Sequence, residues 1–313
     1  FKLDAAHYGD LATFYHGATV SSALIGCIIG GIISGIFATR FGRKKSLIIA
    51  SVFFFVSAVG SGLPEMFFFN ENTPIATLLI SFNIYRIIGG VGVGLASAIC
   101  PMYIAEMAPA EIRGKLVSFN QFAIIFGMLV VYFVNYFIVY GKDPVWINSE
   151  GWRLMFLSES IVAALFGIML FLVPETPRYL ALNHNDEKAL NILSKINGSV
   201  KAKEILAEIK ETVHEKVEKV LTYGWKVLII GILLSIFQQA VGINVVLYYA
   251  PTIFKGLGFG NDAAMYQTVI MGFVNIIFTL VAIFTVDKFG RKPLLIIGSI
   301  GMAIGMFAIG LLA

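Results

Sequence analysis

Two ionisable residues, Arg86 and Glu159, lie deep inside long apolar stretches of the sequence. An ionised group in hydrocarbon costs several kcal/mol unless it is paired or faces water, so such residues need a specific reason to be there. At about 1.5 Å of rise per helical residue, each charge is expected on the order of 10 Å below the same face of a membrane. The two side chains are therefore predicted to meet.

Such a pair can couple a conformational change of the protein to protonation of the carboxylate. The arginine holds the carboxylate in its charged form until a rearrangement separates the two groups. A static ion pair that joins two helices is the alternative, since structural ion pairs have the same composition. The first interpretation makes Arg86 and Glu159 candidate proton-coupling residues.

Uncharged amide side chains also recur within the apolar stretches. An amide both donates and accepts hydrogen bonds, so it can pair with the hydroxyl groups of an uncharged ligand without adding charge. Gly242 is expected to loosen the helix before Asn244, as in discontinuous helices near a membrane midplane. Hydrogen bonding between helices alone is the alternative. The candidate ligand-binding residues are Gln121, Gln238, Gln239, Asn244, Tyr248 and Asn275.

The elements that must position these residues are membrane-spanning helices. Of the 313 residues, 58% are hydrophobic and only 13% are charged, whereas a soluble domain carries about 25% charged residues. A helix needs about 20 mostly apolar residues to cross roughly 30 Å of hydrocarbon. Eight runs qualify, at residues 17–38, 46–63, 78–100, 116–139, 154–173, 226–250, 264–286 and 293–313.

Lysine and arginine residues are concentrated in alternate connections between these runs, around residues 40–45, 113–115 and 288–292. Because positive residues mark cytoplasmic loops, these connections are predicted to be cytoplasmic.

The long polar connection after residue 174 falls on the same predicted side of the membrane. Its apolar spacing predicts two helices, the first capped by Asn185, and a solvated charged linker is the alternative.

One internal repeat is visible, since residues 40–49 match residues 288–297 through a shared Phe-Gly-Arg-Lys core. Parallel repeats of this kind are found in membrane proteins that are built from two similar halves. The predicted domains are an N-terminal transmembrane half at residues 1–174, a cytosolic helical linker at 175–224, and the start of a C-terminal transmembrane half at 225–313.

Acidic and basic residues stand together at the cytoplasmic ends of the predicted helices. Such residues can pair in one conformation and separate in another, and a network that biases two states needs to contribute only a few kcal/mol. Orientation signals alone explain some of the basic members but none of the acidic ones. The predicted cytoplasmic gate consists of Arg40, Arg43, Glu106, Arg113, Glu175, Arg178, Asp287 and Arg291.

Several motifs resemble the sugar porter branch of the major facilitator superfamily. They include Arg40-Phe-Gly-Arg-Lys-Lys45, Pro174-Glu-Thr-Pro-Arg178 and Gln238-Gln-Ala-Val-Gly-Ile-Asn244, and such motifs extend over nearly the whole chain. Residues 114–121 and 234–239 resemble most the bacterial D-xylose/proton symporters of that branch. The resemblance implies a polytopic all-α fold of twelve spans, of which this chain is expected to hold the second to the ninth.

The resemblance also implies a function, the transport of a monosaccharide by alternating access. D-xylose is the expected sugar, protons the expected co-substrate and a bacterial inner membrane the expected location, with the chain as a monomer in the lipid bilayer. It places the amides in contact with the sugar, and Arg86 and Glu159 in the coupling machinery. An uncoupled sugar facilitator and a membrane sugar sensor remain open alternatives. The residues predict no enzyme, no cofactor, no metal site and no nucleic-acid partner.

Overall fold

The computed structural model of the chain describes residues 12–65, 75–214, 225–242 and 261–312. Every regular element in these ranges is a helix, which confirms the predicted all-α fold. The helices are α1 (Ala12–Arg40), α2 (Arg43–Gly62), α3 (Ile75–Met107), α4 (Arg113–Val139), α5 (Trp152–Leu172), α6 (Pro177–Leu182), α7 (Asp186–Asn197), α8 (Ser199–His214), α9 (Trp225–Ala240), α10 (Asn261–Phe289) and α11 (Arg291–Leu312). A helical turn, Pro144–Trp146, and a π-helical segment, Ile147–Gly151, precede α5.

Five of the described helical segments are long and apolar enough to cross a membrane. Shorter apolar segments, Leu228–Ala240, Val269–Thr285 and Lys292–Ala308, lie within α9, α10 and α11. Each of the eight apolar runs in the sequence overlaps one of these helices. The predicted membrane spans are therefore helical wherever the structure describes them.

The chain divides into two compact units. Unit 1 comprises Phe1–Asn120 and Phe137–Glu215, and unit 2 comprises Gln121–Tyr136 and Lys216–Ala313. Helix α4 thus contributes its ends to unit 1 and its middle to unit 2. The domain boundaries after residues 174 and 224 stay predictions.

Interlocking glycines join α1 and α3 in unit 1. A Cβ atom added to Gly26 would lie 2.9 Å from the Cα of Gly90, and one added to Gly90 would lie 2.9 Å from the Cα of Gly26. One turn further, a Cβ on Gly30 would lie 3.0 Å from the Cα of Gly94. Small residues four apart let two helix backbones touch, which replaces the hydrophobic force that lipid does not supply.

Helix α2 packs against α3 and α5 and completes the apolar core of unit 1. The α1–α2 turn is possible because Gly42 adopts a φ of 87°, a left-handed conformation that favours glycine. The Ser46 hydroxyl then donates to the Gly42 carbonyl over 2.6 Å and closes the turn. The buried core residues are Ala38, Leu47, Ala50, Leu95, Ile99 and Leu170.

The connection that was predicted to be cytosolic forms three helices, α6 to α8, with a small apolar core of their own that includes Ala189, Leu193 and Leu206. Asn185 stands at the predicted cap position of α7, but its side chain makes no capping hydrogen bond. Instead Asp186 in the first turn, where a negative charge is favourable, forms an ion pair with Lys210 of α8. The alternative of a solvated linker without structure is wrong for residues 177–214.

In unit 2, the middle of α4 packs against α10. The rings of Phe133 and Phe273 meet edge to face with centroids 5.7 Å apart. Next to this contact, a Cβ on Gly272 would lie 2.8 Å from a methyl group of Leu129. A bulky residue at position 272 would therefore separate the two helices.

Candidate functional site

Arg86 of α3 lies between α1 and α5 in unit 1. Its guanidinium donates a long hydrogen bond, 3.5 Å, to the backbone carbonyl of Val20 on α1. Its central carbon lies 5.6 Å from the centroid of the Phe156 ring on α5, which is within the range of a cation–π contact. The cation is thus held in contact with two neighbouring helices.

Glu159 of α5 carries the negative charge that was predicted to meet Arg86. Its carboxylate lies within electrostatic range of the Arg86 guanidinium. It stands three residues after Phe156, so both side chains occupy one face of α5. The Glu159 side chain is also exposed at the surface of unit 1. The two predicted charges therefore lie in the same region of unit 1, within electrostatic range of each other, and the carboxylate is reachable from outside the unit.

Four of the predicted sugar-binding residues are described, and all four belong to unit 2. Gln238 and Gln239 are exposed near the end of α9, and Gln121 is exposed on the middle part of α4. Asn275 is half-buried on α10, where its backbone carbonyl accepts a hydrogen bond from Thr279. An amide side chain both donates and accepts hydrogen bonds, as a polar ligand with hydroxyl groups requires.

Helix α9 ends in a tight turn. The last regular residue is Ala240, and Gly242 has a φ of 81°. Its amide donates to the carbonyl of Gln239 over 3.0 Å, which is a turn contact and not the next helical hydrogen bond. The predicted contacts Asn244 and Tyr248 lie outside the described residues.

Three of the predicted gate residues form one network at the inner end of unit 1. Arg43 and Glu106 make an ion pair of 2.7 Å, with only 7% and 12% of their side chains exposed. The Glu175 carboxylate accepts hydrogen bonds of 3.1 Å from the backbone amides of Arg43 and Lys44. It also accepts one of 2.9 Å from the amide of Thr176. Glu175 therefore caps the first turn of α2, where unpaired amides and the helix dipole favour an anion.

Of the other predicted gate residues, Arg40, Arg113 and Arg178 do not enter this network through their charged groups. The backbone carbonyl of Arg40 accepts from the Tyr179 hydroxyl over 3.2 Å, while its guanidinium lies 5.9 Å from the Phe41 ring. Arg113 and Arg178 are exposed. The side chains of Asp287 and Arg291 lie outside the described residues.

The cap on α2 yields a stability prediction. We expect Glu175→Gln to lower the free energy of unfolding by about 1–2 kcal/mol, because the amide keeps one acceptor oxygen but loses the charge that faces three backbone amides. Thermal unfolding in detergent would measure this loss. Glu204→Gln is the matched control, since Glu204 is exposed on α8. Equal melting temperatures for the two variants would contradict the capping role.

An ion pair at the outer end of unit 1 was not anticipated from the sequence. Arg153 at the start of α5 pairs with Glu65 over 2.5 Å and donates to the Gly62 carbonyl over 3.3 Å. Its guanidinium also lies 4.8 Å from the Trp152 ring. Both charges lie outside the apolar runs, where charged residues are common, so nothing in the sequence marked them.

Aromatic neighbours of Arg86 were also missed. Phe82, Trp152 and Phe156 meet edge to face between α3 and α5. Trp152, Phe156 and Glu159 are spaced by four and three residues, which places them on one helix face. That spacing was readable in the sequence, but aromatic residues at helical spacing usually indicate packing only.

One cavity of about 400 Å³ lies in unit 1, between α7 and the inner ends of α3 and α5. Its lining is apolar apart from Lys195, and includes Met107, Leu172 and Ile196. A sugar presents many hydroxyl groups, and this lining offers them few partners. The cavity therefore does not match the chemistry of the predicted site.

Residues 2–313 of this chain match the protein family described as "Sugar (and other) transporter". The D-xylose-proton symporter of Escherichia coli is 56% identical over 303 residues, which cover 94% of this chain and 62% of that relative. The glucose facilitated diffusion protein of Zymomonas mobilis is 37% identical over 298 residues, which cover 94% of this chain and 62% of that relative.

The fold agrees with solved structures. A partially occluded inward-open conformation of the xylose transporter XylE from Escherichia coli matches with a TM-score of 0.86 and 55% identity, over 96% of this chain and 68% of that one. The chain thus spans about three fifths of the length of the curated relatives, 62% for the symporter. The family match over almost the whole chain and the agreement with a solved transporter confirm the resemblance that the motifs indicated, and the chain belongs to the family of sugar transporters with the major facilitator fold.

Proposed function

We propose that this protein carries D-xylose across a bacterial inner membrane together with protons, by alternating access. The observation that supports this proposal most strongly is that the Glu159 carboxylate lies within electrostatic range of Arg86, on two membrane helices of unit 1. Ionisable residues within membrane helices mark ion pathways and proton relays. The relative with 56% identity is a D-xylose-proton symporter.

In this proposal the amides of unit 2 bind the sugar. Gln121, Gln238, Gln239 and Asn275 donate to and accept from its hydroxyl groups, with Asn244 and Tyr248 as further contacts. The left-handed turn at Gly242 follows two of these amides directly, and transporters commonly place their binding sites where membrane helices are discontinuous. A sugar that lacks one of the paired hydroxyls leaves an amide unpaired, and this gives selectivity.

We also propose that the inner end of unit 1 stays rigid during transport. The network of Arg43, Glu106 and Glu175 fixes α2 against α3 and the segment after α5. Breaking a mostly buried ion pair costs several kcal/mol, so this end moves as one piece when the protein changes between its two states. The remaining gate residues, Arg40, Arg113, Arg178, Asp287 and Arg291, stay predictions. The protein acts as a monomer in the bilayer.

The test is uptake of radiolabelled D-xylose by proteoliposomes that contain the full-length protein. An inward proton gradient should drive accumulation above equilibrium, and a protonophore should abolish it. D-glucose, measured in parallel, reports on the choice of sugar. Equilibration that ignores the gradient would replace symport by facilitated diffusion, the activity named for the relative with 37% identity. No uptake of either sugar by folded protein would overturn the monosaccharide assignment.

A further inference from the structure

The surroundings of Arg86 contain a closed triangle of aromatic rings. Phe82 and Phe156 have centroids 5.5 Å apart at an interplanar angle of 81°. Phe82 and Trp152 lie 6.3 Å apart at 76°, and Trp152 and Phe156 lie 6.5 Å apart at 78°. Each edge-to-face pair is a favoured geometry. Because Phe156 is held by two rings at once, its orientation is fixed.

The fixed ring of Phe156 faces a cation on its other side. The Arg86 guanidinium carbon lies 5.6 Å from the ring centroid, and the negative face of the ring attracts it. Other described groups near this cation include the Glu159 carboxylate, the Val20 carbonyl and the Cys27 thiol. Arg86 therefore has one titratable acidic neighbour on α5 and, one turn away on the same helix, one neutral neighbour.

These two neighbours respond differently to a proton. Protonation of Glu159 removes its negative charge and with it most of its attraction for the guanidinium. The attraction of the ring does not change, because a benzene ring does not titrate. When the carboxylate takes up a proton, the balance of forces on Arg86 consequently shifts toward Phe156.

We propose that Phe156 is a positioning residue for proton coupling, which gives the Arg86 guanidinium a protonation-independent contact when Glu159 becomes neutral. The cation then moves over a short distance between two partners on one helix face and keeps its place in the bundle. This inference rests on the proposed symport. The inference gives the Phe156 side chain a role in proton coupling in addition to its packing between α3 and α5.

The experiment weakens the ring's attraction without changing its shape. Phe156 is replaced in the full-length protein by phenylalanine carrying one, two or three fluorine atoms, which withdraw electron density from the ring face. Phe166 on the same helix is the matched control, because its ring packs against Phe54 with centroids 6.5 Å apart and no cation is described over it. Both proton-driven uptake and counterflow without a gradient are measured in proteoliposomes.

The expected result is a graded fall of proton-driven D-xylose uptake, about 2- to 5-fold in total, the factor that one cation–π contact is worth. Counterflow should keep its rate, and the series at Phe166 should leave both assays unchanged. A flat series at Phe156 overturns the inference while symport stands. A parallel fall of uptake and counterflow also overturns it, since packing alone would then explain Phe156. If the unmodified protein ignores the gradient, the proposed symport itself fails, and the inference with it.

Discussion

Replacing Glu159 by glutamine is expected to abolish the accumulation of sugar above equilibrium and to preserve the exchange of sugar across the membrane. A gradient of one pH unit supplies about 1.4 kcal/mol per proton, which supports about tenfold accumulation if one proton accompanies each sugar. Glutamine has nearly the same shape as glutamate but cannot titrate. The accumulation ratio of Glu159→Gln should therefore fall from about ten to one in this gradient.

Counterflow of labelled D-xylose measures exchange in the same vesicles. It should persist in Glu159→Gln, because the amides of unit 2 and the two-state movement are intact. The control is Glu150→Gln, which removes an exposed carboxylate from the π-helical segment before α5. Accumulation by Glu159→Gln at the level of this control would exclude Glu159 from coupling and favour a static ion pair.

Substituting alanine for Gly26 is expected to destabilise the fold by about 3 kcal/mol, the upper end of the cost of overpacking. The added Cβ would meet the carbonyl oxygen of Ile87, would lie 2.8 Å from the amide nitrogen of Val91, and would lie 2.9 Å from the Cα of Gly90. All three are backbone atoms, so no side chain can swing aside. Helices α1 and α3 would have to separate along their whole contact.

The control for this substitution lies on the same helix. A Cβ added to Gly31 meets nothing within 4 Å, so Gly31→Ala should melt at or above the temperature of the unmodified protein, since alanine also favours a helix. Thermal unfolding in detergent and the yield of monodisperse protein would compare the two variants. Equal melting temperatures would show that α1 and α3 are not held by backbone contact.

The helices were predictable because apolar runs of this length have one stable solution in lipid, where every backbone amide must be paired within the segment. Their ends were less certain. The third run was expected to stop at residue 100, before a proline, yet α3 continues through Pro101 to Met107. Neighbouring helices in a bundle supply partners for the groups that a proline leaves free, and composition alone does not report those neighbours.

Some residues of the site could likewise be predicted from the local sequence, and others could not. Arg86 and Glu159 could be found because a charge in an apolar run is rare. The capping of α2 by Glu175 could not, because it joins residues 132 positions apart, and no spacing rule connects them. The motif that contains Glu175 indicated a charged cytoplasmic end, but not that its carboxylate would bind backbone amides.

The same distance along the chain has a consequence for biosynthesis. A ribosome that adds about 5–20 residues per second takes roughly 7–26 s to travel from Arg43 to Glu175, given their separation of 132 residues. Throughout that interval α2 has no anion at its first turn, and α3 to α5 emerge beside an unfinished neighbour. The N-terminal helices therefore reach their final arrangement only after α5 has been synthesised, and a nascent chain released before residue 175 lacks the group that completes α2.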